Sequence, residues 1–351
     1  VERETGLAAV TAEGQLQRSF SRSGIQPLPK GSPGRASAKD VGISDKASIS
    51  FFVIGDHGGV KAPGPQNAVS YAMQEAPGSR PAFVYSVGDI VYFNGEESEY
   101  QPQFYEPYAH VAAPIVGVPG NHDGDTGDEP AREPLDAFMA NFCDDRPSVP
   151  AADPHFEFGR HTQTQPYCDW TLELKAVTIA GVYSNVPSGG HLETSQVEWL
   201  TGELRDAPTG KPMIVVLHHP PFSIDAHHGG SKHMREALDE AFEAADRAPD
   251  LVLSGHVHDY QRFTRAFKDW TIPYVVIGNS GYHNLHLLAK DAKPGDQLAE
   301  GATYEYGDAK EYGFLRLTVA KGKISGEYSG VRPGTMPDGS DATVSPAKDT
   351  F

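Results

Sequence analysis

Five short apolar runs in this chain each stop abruptly at residues that carry carboxylate, imidazole or amide donors. Ile49-Ser50-Phe51-Phe52-Val53-Ile54 runs into Gly55-Asp56-His57-Gly58-Gly59, and Ala82 to Val87 runs into Gly88-Asp89-Ile90-Val91-Tyr92. Ile115-Val116-Gly117-Val118 leads to Pro119-Gly120-Asn121-His122-Asp123. Met213 to Leu217 leads to His218-His219-Pro220-Pro221, and Leu251-Val252-Leu253 to Ser254-Gly255-His256-Val257-His258. Runs this short and bounded by glycine read as buried strands. Between them lie helical patterns. Ala68, Val69, Ala72, Met73 and Ala76 share a face of a helix expected over 66–76, and Met234, Leu238, Ala241, Phe242 and Ala245 mark another. Ser195-Gln196-Val197-Glu198 has the form of a capping box opening a third. Strands alternating with helices imply an α/β sheet, in which ligands collect beyond the carboxyl ends of the strands.

A short helix is expected at 135–142, a hairpin at 170–183, and β-like runs at 274–277, 314–319 and 324–328. Residues 1–48 are rich in Ser, Gly, Pro and charge and read as an N-terminal extension that wraps the domain or stays mobile. Residues 49–330 form one domain, and 331–351 a tail that is docked or frayed. The length, 351 residues, is ample for a sizeable core. The net charge of −18 excludes a general nucleic-acid or membrane-surface binder, which needs a basic footprint. No apolar run reaches the length of a membrane span. Cys143 and Cys168 are either one bridge or two separate core residues. The chain opens at Val1 with no basic, apolar leader, so its compartment is not legible.

An acidic protein that handles anionic phosphate must supply positive charge locally, and bound metal ions do that. Asp56, Asp89, Tyr92, Asn121, His122, His218, His256 and His258 offer donors suited to Zn, Fe and Mn. A single Gly-Asp would be turn chemistry; five such exits in one domain point to a metal centre. Asp123, Asp125, Asp128 and Glu129 lack the spacing of a calcium loop and read as solvated acids. His110, His155, His161, His191 and His233 read as ordinary histidines.

Taken together, the blocks Gly55-Asp56-His57-Gly58, Gly88-Asp89-Ile90-Val91-Tyr92, Gly120-Asn121-His122-Asp123, Val215-Val216-Leu217-His218 and Gly255-His256-Val257-His258 resemble those of the calcineurin-like metallophosphoesterases. In particular they resemble purple acid phosphatases of the small tartrate-resistant type. The resemblance implies two packed mixed β-sheets flanked by helices, with the metal site at the carboxyl ends of the strands. Most of that superfamily carries a metal-binding His two residues after the first Asp. Gly58 stands there in this chain, and His57, one position nearer, points the other way if the backbone is extended. Tyr92 supplies the missing ligand in the purple enzymes, so the two departures compensate each other.

The resemblance further implies Asp56, Asp89, Tyr92 and His258 around Fe(III), and Asp89, Asn121, His218 and His256 around Fe(II), Zn or Mn. A metal-bridging hydroxide would then attack the phosphorus of small phosphomonoesters, which makes an acid phosphatase the leading reading. His122 and either His227 or His228 would serve as proton donors, and Asp123 would orient His122 or the Asn121 loop. His283 and His286 lie where the family lines its substrate pocket. A secreted or periplasmic location goes with the resemblance. A phosphodiesterase or nucleotidase on the same core is the alternative, and a non-catalytic metal-binding recognition protein a more distant one. Tyr92-Phe93-Asn94 argues against a protein Ser/Thr phosphatase, which has Asp-Arg-Gly after its second block.

Overall fold

The computed structural model describes residues 24–78, 80–127 and 132–351, and the five apolar runs are strands in it. β2 (Ser48–Ile54), β3 (Val84–Ser86) and β4 (Ile115–Gly117) lie side by side and parallel. They end a six-stranded sheet completed by β12 (Tyr312–Ala320), β13 (Lys323–Arg332) and β14 (Thr343–Thr350), in the order β14-β13-β12-β2-β3-β4. A second, eight-stranded sheet holds β7 (Met213–Leu217) and β8 (Leu251–Ser254), again parallel neighbours. Its other strands are β1 (Gly34–Ser37), β5 (Trp170–Glu173), β6 (Thr178–Val182), β9 (Tyr260–Phe267), β10 (Trp270–Ile277) and β11 (Ala302–Asp308), in the order β1-β5-β6-β7-β8-β10-β9-β11.

The runs are continuous because both faces of each strand are covered. Successive side chains on a strand alternate in direction. Phe51 and Val53 therefore join Tyr85, Val116, Ile214 and Val216 in a core between the two sheets. Phe52 and Ile54 face the other way, onto Ala68, Val69, Ala72 and Met73 of helix Gly64–Glu75. Val215 and Leu217 meet Leu200 and Leu204 of helix Thr194–Asp206 and Met234, Leu238 and Phe242 of helix Lys232–Ala245. The result is a four-layer sandwich of helices, sheet, sheet and helices. Burial of each such Val, Leu, Ile or Phe contributes about 1.5–3 kcal/mol.

Two details differ from the sequence reading. The cap of helix Thr194–Asp206 is built by Glu193 and Gln196, with the Glu193 amide donating to Gln196 Oε1 at 2.9 Å. The Gln196 amide is itself held by Asp169 at 3.0 Å and by the Tyr183 carbonyl at 2.9 Å, which fixes the start of the helix upstream of Ser195. The boundary expected at residue 48 falls inside the fold. β1 pairs in parallel with β5, and Ala36, Ala38, Val41 and Ile43 are buried in the inter-sheet core. Residues 1–23 of the expected extension lie outside the described residues.

At the other end, β14 adds antiparallel to β13, so the 331–351 tail is docked. Asp349 locks it, accepting from Arg262 Nε and Nη2 at 2.7 and 2.8 Å and from Tyr260 Oη at 2.9 Å. Cys143 and Cys168 are both free thiols. Among the described residues, no helix is long and apolar enough to cross a membrane.

Candidate metal centre

The carboxyl ends of β2, β3, β4, β7 and β8 converge where the two sheets meet. Neighbouring exits are tied through the backbone: Asp56 N donates to Gly88 O at 2.9 Å, His57 N to Asp89 O at 3.1 Å, and Gly255 N to His218 O at 2.9 Å. The turns are sharp. Asp56 and Asp89 both have φ of 52° and His256 has φ of 69°, a left-handed conformation that costs a residue with a Cβ about 1–3 kcal/mol. Such strain persists only where the surroundings over-determine it. Gly88 has φ of 108°, and a Cβ there would lie 2.6 Å from both Gly120 N and His218 Nδ1, so the motif glycine is what lets the exits close up.

One donor set forms around Asp56. Its Oδ1 lies 3.5 Å from Tyr92 Oη and 3.5 Å from His258 Nε2, and those two atoms are 3.5 Å apart. His258 Nδ1 donates to the Asn284 carbonyl at 2.9 Å, which turns a lone pair on Nε2 toward the other donors. Gly58 explains why Tyr92 fits. A Cβ at 58 would lie 2.8 Å from Tyr92 Cδ2, 2.8 Å from Ile90 O and 2.6 Å from Gln103 Oε1. The space a side chain would need there is filled by the tyrosine ring. His57 is fully buried and turned away, with Nε2 3.0 Å from Ser86 Oγ, and burial lowers its pKa to about 3.

A second set forms around Asn121. Its Oδ1 is 2.9 Å from His256 Nδ1 and 3.1 Å from His218 Nε2, and Asp89 Oδ2 is 3.4 Å from the same His218 nitrogen. His218 Nδ1 donates to Val87 O at 2.9 Å, again freeing Nε2. Donor atoms of Asp56, Asp89 and His218 all lie within 4.8 Å of one another, which brings the two groups side by side. Bonds of about 2.0–2.2 Å to a first-row ion put neighbouring donors roughly 3–3.5 Å apart. Both sets have that spacing.

The electrostatics point the same way. Asp56 and Asp89 are 0% and 1% exposed, and their ion-pair partners are imidazoles. Burial opposes ionisation of Asp89, but His218 and His122 hold it well below the usual carboxylate range. Burial pushes Asp56 up, and the Asp89 charge adds to it. For His218, burial is outweighed by Asp89 and Asp56, which raise it to about 9. The Tyr92 phenol is pushed well up by burial, then by Asp89 and Asp56. Burial and mutual repulsion keep these acids from all ionising unaided, and bound cations would let the carboxylates and the phenol carry charge together. The chain thus carries a candidate divalent metal centre whose donors fit the group.

The remaining predicted residues surround it. His122 N donates to Asp89 Oδ1 at 3.0 Å, its Nδ1 donates to Phe93 O at 2.8 Å, and its ring lies 4.6 Å from that of Tyr92. Asp123 is fully buried and accepts from Gly120 N at 2.7 Å, Ile90 N at 3.1 Å and Val91 N at 3.1 Å. It clasps the Asp89 turn to the Asn121 turn. His228 is half-buried with its ring 4.9 Å from His256, whereas His227 is exposed and its ring lies 5.0 Å from His286.

Two site residues escaped the sequence reading or were undervalued in it. His286 stacks on His258 at 4.3 Å and 30°, and its Nδ1 donates to Asp225 Oδ2 at 3.0 Å. Asp225 also accepts from His228 N at 2.8 Å. An Asp two residues before a histidine pair is an available turn signal.

A family model described as calcineurin-like phosphoesterase matches residues 49–260. Purple acid phosphatase 22 of Arabidopsis thaliana is 33% identical over 156 residues, which is 41% of this chain and 34% of that protein. The chain thus matches about a third of the length of that plant relative. A protein of Rhodopseudomonas palustris described as a probable cyclic nucleotide phosphodiesterase is 27% identical over 180 residues, 50% of this chain and 57% of that one. The structure of a purple acid phosphatase from yellow lupin seeds superposes with a TM-score of 0.60 at 17% identity, covering 87% of this chain and 53% of that one. At that identity the likeness bears on fold alone.

Proposed function

The chain belongs to the calcineurin-like phosphoesterase family, and from that premise we propose that it is a binuclear-metal phosphatase of the purple acid type, acting on small phosphomonoesters. The observation that carries this reading is the pair of donor sets hinged on Asp89, with Tyr92 seated against Gly58. Asp56, Asp89, Tyr92 and His258 would hold Fe(III), since a buried phenol flanked by carboxylates ionises only against a strongly charged cation. Asp89, Asn121, His218 and His256 would hold Fe(II), Zn or Mn. When bound, the ions supply Lewis acidity for the phosphate oxygens and an acidified water.

The protein's own groups do the rest. His122 and His228 flank the centre, one beside Tyr92 and the other beside His256. We assign His228 the proton that the leaving alkoxide takes up, and His122, anchored by Phe93 O, the orientation of the phosphate. His227 is the weaker candidate because it faces His286 and solvent. Asp123 acts through the backbone turns it holds. A secreted or periplasmic setting is part of the proposal.

The phosphodiesterase reading keeps support from the Rhodopseudomonas palustris relative. Turnover of p-nitrophenyl phosphate against bis-p-nitrophenyl phosphate across pH separates the two. The monoester is expected to be preferred, and a diester preference would transfer the assignment.

A further inference from the structure

We propose that Asp225 is a positioning residue that holds the His228 proton donor over the metal centre; this rests on the hydrolase reading above. Asp225 sits on the turn at 223–229, which is closed by an antiparallel bridge between Ile224 and Gly229. That turn is sewn to the loop at 286–289. Ala226 N donates to Leu287 O at 2.8 Å, and Ala289 N donates to Ile224 O at 2.8 Å. The Asp225 carboxylate lies in the seam, 8% exposed. One oxygen, Oδ2, accepts both His228 N at 2.8 Å and His286 Nδ1 at 3.0 Å.

His286 is in turn fixed to the centre. Its own N donates to His258 O at 2.9 Å, and its ring stacks on the His258 ring. A continuous path therefore runs from His258 through His286 and Asp225 to His228, whose ring lies 5.4 Å from His286 and 4.9 Å from His256. Asp225 Oδ1 is buried without a hydrogen bond, a cost that native proteins tend to retain where a site needs it.

The step it serves is simple to balance. The P–O bond to the leaving group breaks with its electron pair on that oxygen, and the His228 imidazolium transfers one proton to it, leaving an alcohol and a neutral imidazole. p-Nitrophenolate leaves without that proton, whereas the alkoxide of glycerol phosphate does not. The holoenzyme and its Asp225→Ala variant are therefore compared on both esters. The variant should lose about 10- to 100-fold in kcat on glycerol phosphate, part of the usual effect of general acid catalysis, and less than about 3-fold on p-nitrophenyl phosphate. Asp225→Asn, which keeps size and an acceptor, should fall between.

In a His228→Ala background, Asp225→Ala should change glycerol phosphate turnover by less than about 2-fold, because the pair acts as one unit. Equal slowing of both esters, or losses that multiply in the double variant, overturns the proposal. If the native protein hydrolyses neither ester, the hydrolase reading fails instead. The hold on His228 is then read from its backbone amide. Protection from hydrogen exchange in the native protein and its loss in Asp225→Ala supports the positioning role, and an unprotected native amide overturns it.

Discussion

The two donor sets of the candidate metal centre are built differently. In the Tyr92 half every donor residue is sealed: Asp56, Tyr92 and His258 are 0%, 1% and 8% exposed. Tyr282 roofs it, its ring 4.2 Å from Tyr92 and 4.7 Å from His258, and its backbone N donates to Asp56 O at 2.8 Å. In the other half His218 is sealed as well, but Asn121 and His256 are partly exposed, and the histidine lining that side, His228, rides on a surface turn. The lesson is a division of labour. On the proposed reading, one half would retain an ion in a dry, aromatic setting and the other would meet substrate. Asp89 belongs to both.

Removing the shared residue should erase the distinction and gives the largest effect. Asp89→Ala is expected to lose both ions and to lower kcat/KM by on the order of 10³-fold or more, since each ion contributes several kcal/mol of charge stabilisation. Asn121→Ala should abolish turnover while leaving the fold and the Tyr92 half occupied. Metal analysis alongside kinetics checks both, and loss of both ions from Asn121→Ala would break the two-half picture.

Gly58→Ala tests the sealed half alone. The new methyl would press on Tyr92, Ile90 O and Gln103, so thermal unfolding should reveal a cost of about 1–3 kcal/mol, with weaker metal retention in that half. The smallest effect is expected away from the centre, at Asp169. Burial raises its carboxyl from the ordinary 3.8 to about 7. A raised folded-state pKa means the contribution is fully present below about pH 4 and is lost as pH rises through 7. Asp169→Asn should flatten that slope by a few degrees of Tm between pH 4 and 7 without touching metal content.

The same division governs what could be read from the sequence. The sealed half was legible because its parts are local: Asp56 and Gly58 lie two residues apart, Asp89 and Tyr92 three, each pair at the end of an apolar run. The donor missing at 58 and the phenol offered at 92 could be matched from the sequence alone. The open half was less legible. Asp225 and His286 are joined across 61 residues of chain, and no periodicity links the turn at 223–229 to the loop at 286–289. Choosing between His227 and His228 needed the turn geometry that leaves one exposed and sets the other beside His256. β1 and β14 were missed for a related reason. Their polar, Gly- and Pro-containing sequences carry no strand signal, and they are strands only because β5 and β13 offer unpaired edges.

The most direct test of the paired Gly58–Tyr92 substitution is the visible absorption spectrum of the purified, metal-analysed protein beside that of Tyr92→Phe. The native protein should be purple or pink, with iron bound, and the colour should vanish in Tyr92→Phe while the open half keeps its metal. A colourless native protein containing only zinc, or a variant that keeps the colour, would contradict the assignment of Tyr92 as an iron ligand.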